Sequence, residues 1–451
     1  MTRSSRPTVA VIGGGFSGLM TAIHLLREPG GPCVRLIERR DVFARGAAYG
    51  VDQDDHLLNV RAGNMSAFPA QPDHFTSWLA AKRPAAGSTS FVSRACYGDY
   101  LQDLLREATR GEAGRLILDQ DEAISVAVDE AGFSVGLAIG RQVRVQAVVV
   151  AVGNLPPTFP PGVDASVAQH PGYVADPWSS ELQRLPRAGT AVLLGTGLTM
   201  VDVALRLERE RPELRLLALS RRGLPPRRHL VEGPVPSPWV PAMSAPAPVL
   251  REARRRAKDE EWRSVVDGLR PHVQALWGGW SEAERSRFLR HLRPWWDVHR
   301  HRIAPPVAFR LDHLISSGRL RIRRGRLARV TPAADMLDVM WTTPTGEAKG
   351  LAATALVNCT GPTGDLARAD DPLLRSLADD GLIRADAQRL GLDADPRGRL
   401  LDGFGRADRG LYGVGPVTRG ALWEITSVPD IRVQAQTCAR EIIESLKTAA
   451  A

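Results

Sequence analysis

Apolar runs that empty into glycine recur along this chain, and the residues after each run set its meaning. "TVAVIGGG" from Thr8 is such a run. It is followed by "FSGLMTAIHLLRE", with apolar residues at helical spacing, and then by a second apolar run, "CVRLIERR". The order predicts strand, tight turn, helix, strand. From about Ala123 to Gly153 the period shortens: "AISVAVDEAGFSVGLAI" and "RQVRVQAVVVAVGN" predict short β-runs, the last a buried strand opening into a Gly-Asn loop. A second strand–turn–helix–strand unit runs from Ala191 to about Ser220.

Residues 225–248, "PPRRHLVEGPVPSPWVPAMSAPAP", hold too many prolines for a regular helix or a central strand. From Val249 to about Arg302 the pattern is helical, and "SEAE" at Ser281–Glu284 has the capping-box form. β-like runs return at Leu320–Val330 and Leu337–Thr343, and "ALVNCTGP" at Ala355–Pro362 repeats the strand-to-glycine ending. The last helix begins near Asp430 and continues through "IRVQAQTCAREIIESL". No tandem repeat is visible.

Composition changes this picture little. A chain of 451 residues has room for two or three domains, and its apolar and charged fractions are those of a soluble protein. The net charge of +9 raises the question of a nucleic-acid partner. The cations are almost all arginine, scattered apart from runs such as "REARRR" at Arg251–Arg256, so they read as a solvated basic face and no nucleic acid is expected. Cys33, Cys96, Cys359 and Cys438 lie far apart with no C-x-x-C and no His/Cys cluster, which predicts reduced thiols, a cytoplasmic protein and no metal site. Three glycines interrupt the apolar opening, arguing against a signal peptide, and no run is long and uncharged enough to span a membrane.

The chemistry lies in the two glycine turns. In the first, Gly13-x-Gly15-x-x-Gly18 follows a strand and opens a helix, and the next strand ends in Glu38. Gly13 allows the tight turn, Gly15 lets backbone approach a pyrophosphate, and Gly18 lets helix and strand pack closely. The phosphates would sit at the positive helix end, and Glu38 is placed for ribose hydroxyls. The second turn keeps Gly195 and Gly197 but has Met200 in the third place. Its next strand ends in "SRR", placing Arg221 and Arg222 where a NAD site usually has an acid. Guanidinium groups bind a 2′-phosphate that a carboxylate would repel, so NADPH is favoured over NADH. Two turns imply two dinucleotides, FAD on the first and a nicotinamide on the second, because the first domain resumes at the C-terminus. The expected fold is α/β: two Rossmann-like domains with a helical insert. FAD-binding segments span 1–180 and 350–451, an NAD(P)-binding domain spans 181–349, and the Pro-rich and helical insert occupies about 225–302.

Together, "GGGFSGLMTAIHLL", "ERR", "GAAYG", "HLLNVRAGNMSAFP", "FVSRACYGDYL", "GTGLTMVDV", "SRRGLPPR" and "LYGVGPVTRGALWEITSVPDIRVQ" resemble a bacterial group. Its members are FAD/NAD(P)-binding proteins that include FAD-dependent urate hydroxylase and aspartate N-monooxygenase. The resemblance covers nearly the whole chain and is weakest in the insert. It implies FAD on Gly13, Gly15, Ser17, Gly18 and Glu38, with Asn59 and Met65 near the flavin ring or ribityl chain. Gly153 and Gly361 would approach the cofactors at strand ends, and Ile124 joins the cofactor-side candidates. Pro416 stands where many two-dinucleotide flavoproteins have an aspartate for the ribityl hydroxyls, so a backbone amide of the "VTRG" turn is expected to replace it.

Without paired cysteines, oxygen is the natural electron acceptor. NAD(P)H would reduce FAD, and the reduced flavin would trap O2 as a C4a-hydroperoxide that oxygenates a small-molecule substrate. Urate, hydroxylated to 5-hydroxyisourate, is the first reading. An amino-acid N-hydroxylase of the aspartate type is the alternative, and a flavin-binding redox-partner or regulatory protein is the reading from another class. An anionic substrate needs cations and an aromatic wall. The candidates are Arg94, Arg300, His301, Arg419 and Trp423, with Arg61 and Tyr97 behind them. Trp295 and Trp296 read more readily as helical core, and His301 as a structural histidine.

Overall fold

The computed structural model describes residues 6–50, 56–111 and 114–450. Two compact units share the chain: 1–155 with 273–282 and 363–451, and 156–272 with 283–362. The sequence placed the crossings at 180/181 and 349/350; the compact units divide the chain at 155/156, 272/273, 282/283 and 362/363.

The first unit opens with β1 (Thr8–Ile12), α1 (Phe16–Leu26) and β2 (Cys33–Glu38), the order the apolar pattern predicts. Three helices follow: α2 (Gly46–Tyr49), α3 (His74–Lys82) and α4 (Arg94–Gly111). β3 (Leu116–Gln120) then joins the sheet. β4 (Ala123–Asp129), β5 (Gly132–Leu137) and β6 (Gln142–Val145) make a separate antiparallel sheet, and β7 (Ala147–Val150) returns beside β1.

In the second unit, β8 (Tyr173–Val174) and β9 (Ala188–Leu194) lead to α5 (Leu198–Glu210) and β10 (Glu213–Ser220). After the Pro-rich stretch, α6 (Pro246–Arg256) starts on a proline, which the first helical turn tolerates because its N–H needs no partner there. The helical region continues with α7 (Trp262–Leu269), α8 (Val273–Gly279), α9 (Glu282–Arg287) and α10 (Arg293–Arg300). α9 begins one residue after Ser281, where the capping-box pattern places it. α11 (Pro305–Ser316) reaches β11 (Leu320–Arg324). β12 (Arg326–Ala333), β13 (Met336–Thr342) and β14 (Ala348–Ala353) form an antiparallel sheet, and β15 (Ala355–Asn358) pairs with β9. The single run expected over Leu320–Val330 is broken at Gly325, whose N–H donates to the Ser220 carbonyl at 2.9 Å. The first unit resumes with α12 (Pro372–Asp379), β16 (Arg399–Leu401), β17 (Ala407–Gly413) and α13 (Val428–Ala450).

The six-stranded sheet runs β16-β17-β7-β1-β2-β3, parallel except for β16. The five-stranded sheet runs β11-β10-β9-β15-β8, all parallel. Hence β3-β2-β1-β7 in one unit matches β11-β10-β9-β15 in the other, each with a three-stranded antiparallel sheet before its fourth strand. The chain carries a repeat of topology that its residues do not announce.

Both faces are covered at the centre of the first sheet, so β1 and β7 are almost continuously apolar. Val9 and Val11 of β1 face a core with α1, α4 and α13, while Ala10 and Ile12 face one built from β4–β6 and α12. In the second unit, Val192, Leu194, Leu217 and Leu219 pack against Val330, Leu337, Val339 and Trp341 of the antiparallel sheet. One stretch of the helical insert, 273–282, belongs to the first unit. The reason is Trp277, wholly buried, which stacks on Trp423 at 4.7 Å and donates its indole N–H to the Gly420 carbonyl at 2.8 Å.

Candidate functional site

The first glycine turn is built from contacts that leave no room for a side chain. Gly13 has φ +105°, and a Cβ there would lie 2.4 Å from the Ala151 carbonyl oxygen. A Cβ on Gly18 would lie 1.9 Å from the Gly13 carbonyl oxygen, so α1 sits directly on the turn. Gly15 caps α1 without any side-chain hydrogen bond, which leaves the helix end open to an anion. Ser17 is buried behind it, and Gly415 crosses so close that a Cβ would meet the Ser17 hydroxyl at 2.2 Å.

Glu38 ends β2 and is buried, with its carboxylate held from two sides. One oxygen accepts the Gly14 N–H at 2.8 Å and the other the Arg40 N–H at 3.0 Å. This fixes an acceptor one strand away from the phosphate turn, the geometry a ribose diol requires.

A cleft runs across these groups. Gly13, Gly15, Ser17 and Glu38 line it, as do Gly153, Asn154, Pro416 and Thr426. Gly153, at φ +76°, has open space where its side chain would be. "GAAYG" contributes Gly46 to Tyr49 to the wall, and Arg45 beside it pairs with Asp99 at 2.6 Å. Burial pushes the Tyr49 phenol up to about 12, with Arg94 pulling part of the way back, so it is a neutral donor at ordinary pH. Arg94, at the start of α4, is near enough to act on that phenol but does not itself line the cleft. The far end is closed by Asp121, Glu122 and Ala123 after β3, and by Asp371 and Leu373 at the start of α12. There Arg39 bonds Glu122 at 3.2 Å. These acidic residues carry no motif; they follow β3, which the apolar pattern does not reveal.

Three expected contacts change. Ile124 is 37 % exposed at the irregularity where the β4–β5 register shifts between Ala123 and Ser125, and its neighbour Ala123 lines the cleft. Met65, 2 % exposed, packs in the core among Ala62, Phe68 and Phe75; Asn59 before it is half-buried. Of the "VTRG" amides, those of Thr418 and Arg419 donate to the Gly415 and Pro416 carbonyls, so the expected contact narrows to those of Val417 and Gly420.

The second turn copies the first. Gly195 has φ +116°, and a Cβ on it would lie 2.3 Å from the Cys359 carbonyl oxygen. Its N–H donates to the Leu219 carbonyl at 2.8 Å, as that of Gly13 donates to Ile37 at 2.8 Å. Gly197 caps α5 with no side-chain bond and open space around it. Gly361, at φ +87°, follows β15 as Gly153 follows β7. Met200, in the third place, is wholly buried, so this helix packs through a side chain. Ser220 ends β10, and its hydroxyl bonds Thr196 at 2.8 Å and accepts the Gly223 N–H at 2.9 Å. Arg221 is exposed, while Arg222 donates to the Arg290 carbonyl at 3.4 Å.

The substrate-side candidates separate. Arg419 and Trp423 come together in the first unit, the guanidinium 5.0 Å over a ring that stacks on Trp277. Arg300, buried, ends α10 in the second unit, and His301 follows it with its N–H donated to Asp297. Arg61 lies over Phe91 at 4.8 Å, and Tyr97 is buried in an aromatic cluster, 4.8 Å from the Tyr49 ring. Trp295 is 44 % exposed rather than core, and Trp296 is half-buried. None of the cysteines forms a disulfide, and burial pushes the Cys359 and Cys438 thiols up, away from thiol exchange. Among the described residues no cluster of His, Cys, Asp and Glu could hold a metal, and no helix is long and apolar enough to cross a membrane.

Comparison with known proteins agrees with this geometry. Residues 10–155 match the FAD-NAD(P)-binding family. That match runs from within β1 to just past β7 and contains the first turn, Glu38 and Gly153; the family's description names FAD and NAD(P). No curated protein matches the sequence. Among solved structures, L-lysine 6-monooxygenase from Pseudomonas syringae superposes with a TM-score of 0.67 at 17% identity, over 98% of this chain and 100% of that one. The ornithine N-hydroxylase of Kutzneria sp. 744, with reduced FAD, NADP+ and L-ornithine, gives 0.64 at 17%, over 99% and 100%. The cadaverine monooxygenase of Erwinia amylovora, bound to FAD, gives 0.66 at 14%, over 98% and 95%. At such identities the likeness is one of fold.

Proposed function

We propose that this protein is an NADPH-dependent FAD monooxygenase that hydroxylates the amine of an amino acid or a small diamine. The observation that carries the reading is the pair of equivalent turns, one with an acid at its second strand end and the other with Ser220, Arg221 and Arg222. That difference suits a flavin dinucleotide on the first and a 2′-phosphorylated nicotinamide dinucleotide on the second. The full-length structural neighbours named for ornithine, lysine and cadaverine hydroxylation favour an amine over urate, and nothing in the comparisons supports the urate reading.

In this reading Gly13, Gly15 and the open end of α1 hold the FAD pyrophosphate, Glu38 the ribose, and Tyr49 donates a hydrogen bond from the wall. FAD, once bound, supplies the electron transfer from the nicotinamide and the activation of dioxygen. The protein's part is to orient, shield and hold charge. An amino-acid substrate presents a carboxylate, and Arg419 over Trp423 is our choice for its cationic contact. Arg94, Arg300 and His301 are further substrate-side proposals. Three buried cysteines and one half-buried one, none in a disulfide, speak against thiol–disulfide exchange as the outlet for electrons.

The test is product formation. FAD-loaded protein in air is given NADPH with L-ornithine, L-lysine, cadaverine, L-aspartate or urate. An amine should accelerate NADPH consumption and yield a product one oxygen atom heavier. Loss of urate in step with NADPH, with every amine inert, would restore the urate reading and refute this one.

A further inference from the structure

The matching hydrogen bonds of the two units allow positions to be equated one by one. Gly13 and Gly195 each donate to the residue before a strand end, so Glu38 corresponds to Ser220 and Arg39 to Arg221. Asp121 and Gly325 each donate to the carbonyl of that strand-end residue, at 3.0 and 2.9 Å, so Glu122 corresponds to Arg326. The strand registers agree: Glu38 pairs with Gln120 and Ser220 with Arg324.

In the first unit the equated side chains touch. Arg39 bonds Glu122 at 3.2 Å, and both line the nucleotide cleft at its far end. In the second unit the same two places hold Arg221 and Arg326, two cations. Both are exposed, and among the described residues neither forms an ion pair. The loop between them is held in place: Ser220 accepts the Gly223 N–H, and Gly223, at φ +61°, turns the chain so closely that a Cβ would lie 3.1 Å from the Arg324 Cβ. Two guanidinium groups where an ion pair stands in the sister unit repel each other until an anion lies between them. A phosphate dianion accepts bidentate bonds from both. Arg222, by contrast, is already engaged with the Arg290 carbonyl.

We infer that Arg326, at the start of β12, joins Arg221 to form the site for the 2′-phosphate of NADPH, with Arg222 positioning the loop. The inference rests on the nicotinamide reading of the second turn and adds to it a residue far away in sequence.

The experiment uses the FAD-loaded enzyme and two probes, 2′,5′-ADP and 5′-ADP, measured by calorimetry beside NADPH and NADH kinetics. Wild type should bind 2′,5′-ADP more tightly. Arg326→Ala should weaken 2′,5′-ADP about 10–100-fold and 5′-ADP far less, so that the ratio of the two affinities falls while the FAD content is retained. Arg221→Ala should do likewise, and the double variant should lose less than the product of the two, because the groups share one phosphate. Arg326→Lys, which keeps the charge but loses the fork, should recover part of the affinity. If wild type discriminates between the probes and Arg326→Ala leaves the ratio intact, this inference is wrong while the NADPH reading stands. If wild type does not discriminate, both fall.

Discussion

The two glycine turns share a backbone and differ in what is hung on it. A Cβ on either first glycine would lie 2.4 or 2.3 Å from the carbonyl oxygen just past a neighbouring strand, and both glycines donate to the strand beside them at 2.8 Å. Beyond that they part at two places. The third position is Gly18 in one and the buried Met200 in the other, and the strand end is Glu38 in one and Ser220 before two arginines in the other. The lesson is that the first glycine is fixed by the turn itself. The third answers only to how near the helix must stand, and the strand end answers to the nucleotide.

Exchanging the third residues breaks the comparison most severely. Gly18→Met places a Cβ 1.9 Å from the Gly13 carbonyl oxygen, so α1 must leave its strand. A loss of more than about 4 kcal/mol, seen as unfolded or FAD-free protein, is expected. The reciprocal Met200→Gly removes a wholly buried side chain and should cost about 2–5 kcal/mol in chemical denaturation, without tightening NADPH. Were Met200→Gly neutral, the second helix would not depend on that side chain.

Exchanging the strand ends has a smaller and more selective effect. Ser220→Glu puts a carboxylate where Glu38 stands in the sister turn, and should shift the NADPH-to-NADH preference about 10–100-fold toward NADH. Glu38→Gln keeps one acceptor oxygen for the Gly14 or Arg40 N–H and should weaken FAD about tenfold. Equilibrium dialysis of the flavin checks the second, and initial rates check the first.

The mildest difference is in acid. His24 lies in the last turn of α1, and burial, reinforced by Arg27, lowers its pKa to about 4. Equally far past the first glycine, α5 has Arg206, paired with Glu210 at 3.2 Å. The fold favours the neutral imidazole, so the unfolded chain binds a proton first as pH falls. Its contribution is full above the ordinary histidine value of about 6.5 and is lost toward pH 4, on the order of 1–2 kcal/mol after allowance for partial exposure. His24→Phe should flatten stability across that window, measured by denaturation at several pH values; an unchanged slope would remove His24 as the cause.

Much of this was legible in sequence because turn chemistry is local. Gly13, Gly15, Gly18 and Glu38 lie close enough along the chain for one strand–helix–strand unit to bring them together, and Gly195, Gly197 and Arg221 repeat that logic. What stayed hidden depends on long closures. Glu122 and Arg326 reach their turns only when a third parallel strand is added, and β3 has too weak an apolar pattern, with Ile117 and Leu118 exposed, to be noticed. The repeat of topology was masked because the second unit carries the Pro-rich and helical stretch between strands that the first joins by α2–α4. Trp277 lies in the insert with several other tryptophans, and that Trp423 is its partner could be known only from packing. Ile124 falls at a break in register between Ala123 and Ser125, which an alternating pattern does not show.

The central claim is a division of labour between the turns, and anaerobic reduction of the flavin measures it most directly. Purified wild type should carry FAD that NADPH bleaches at least about tenfold faster than NADH does. Gly197→Asp puts a negative charge at the open end of α5, where a phosphate is expected; it should retain the FAD and lose its reduction by NADPH. Gly15→Asp should lose the FAD itself. If Gly197→Asp were bleached by NADPH as fast as wild type, or lost its flavin as Gly15→Asp does, the two turns would not hold the two nucleotides assigned to them.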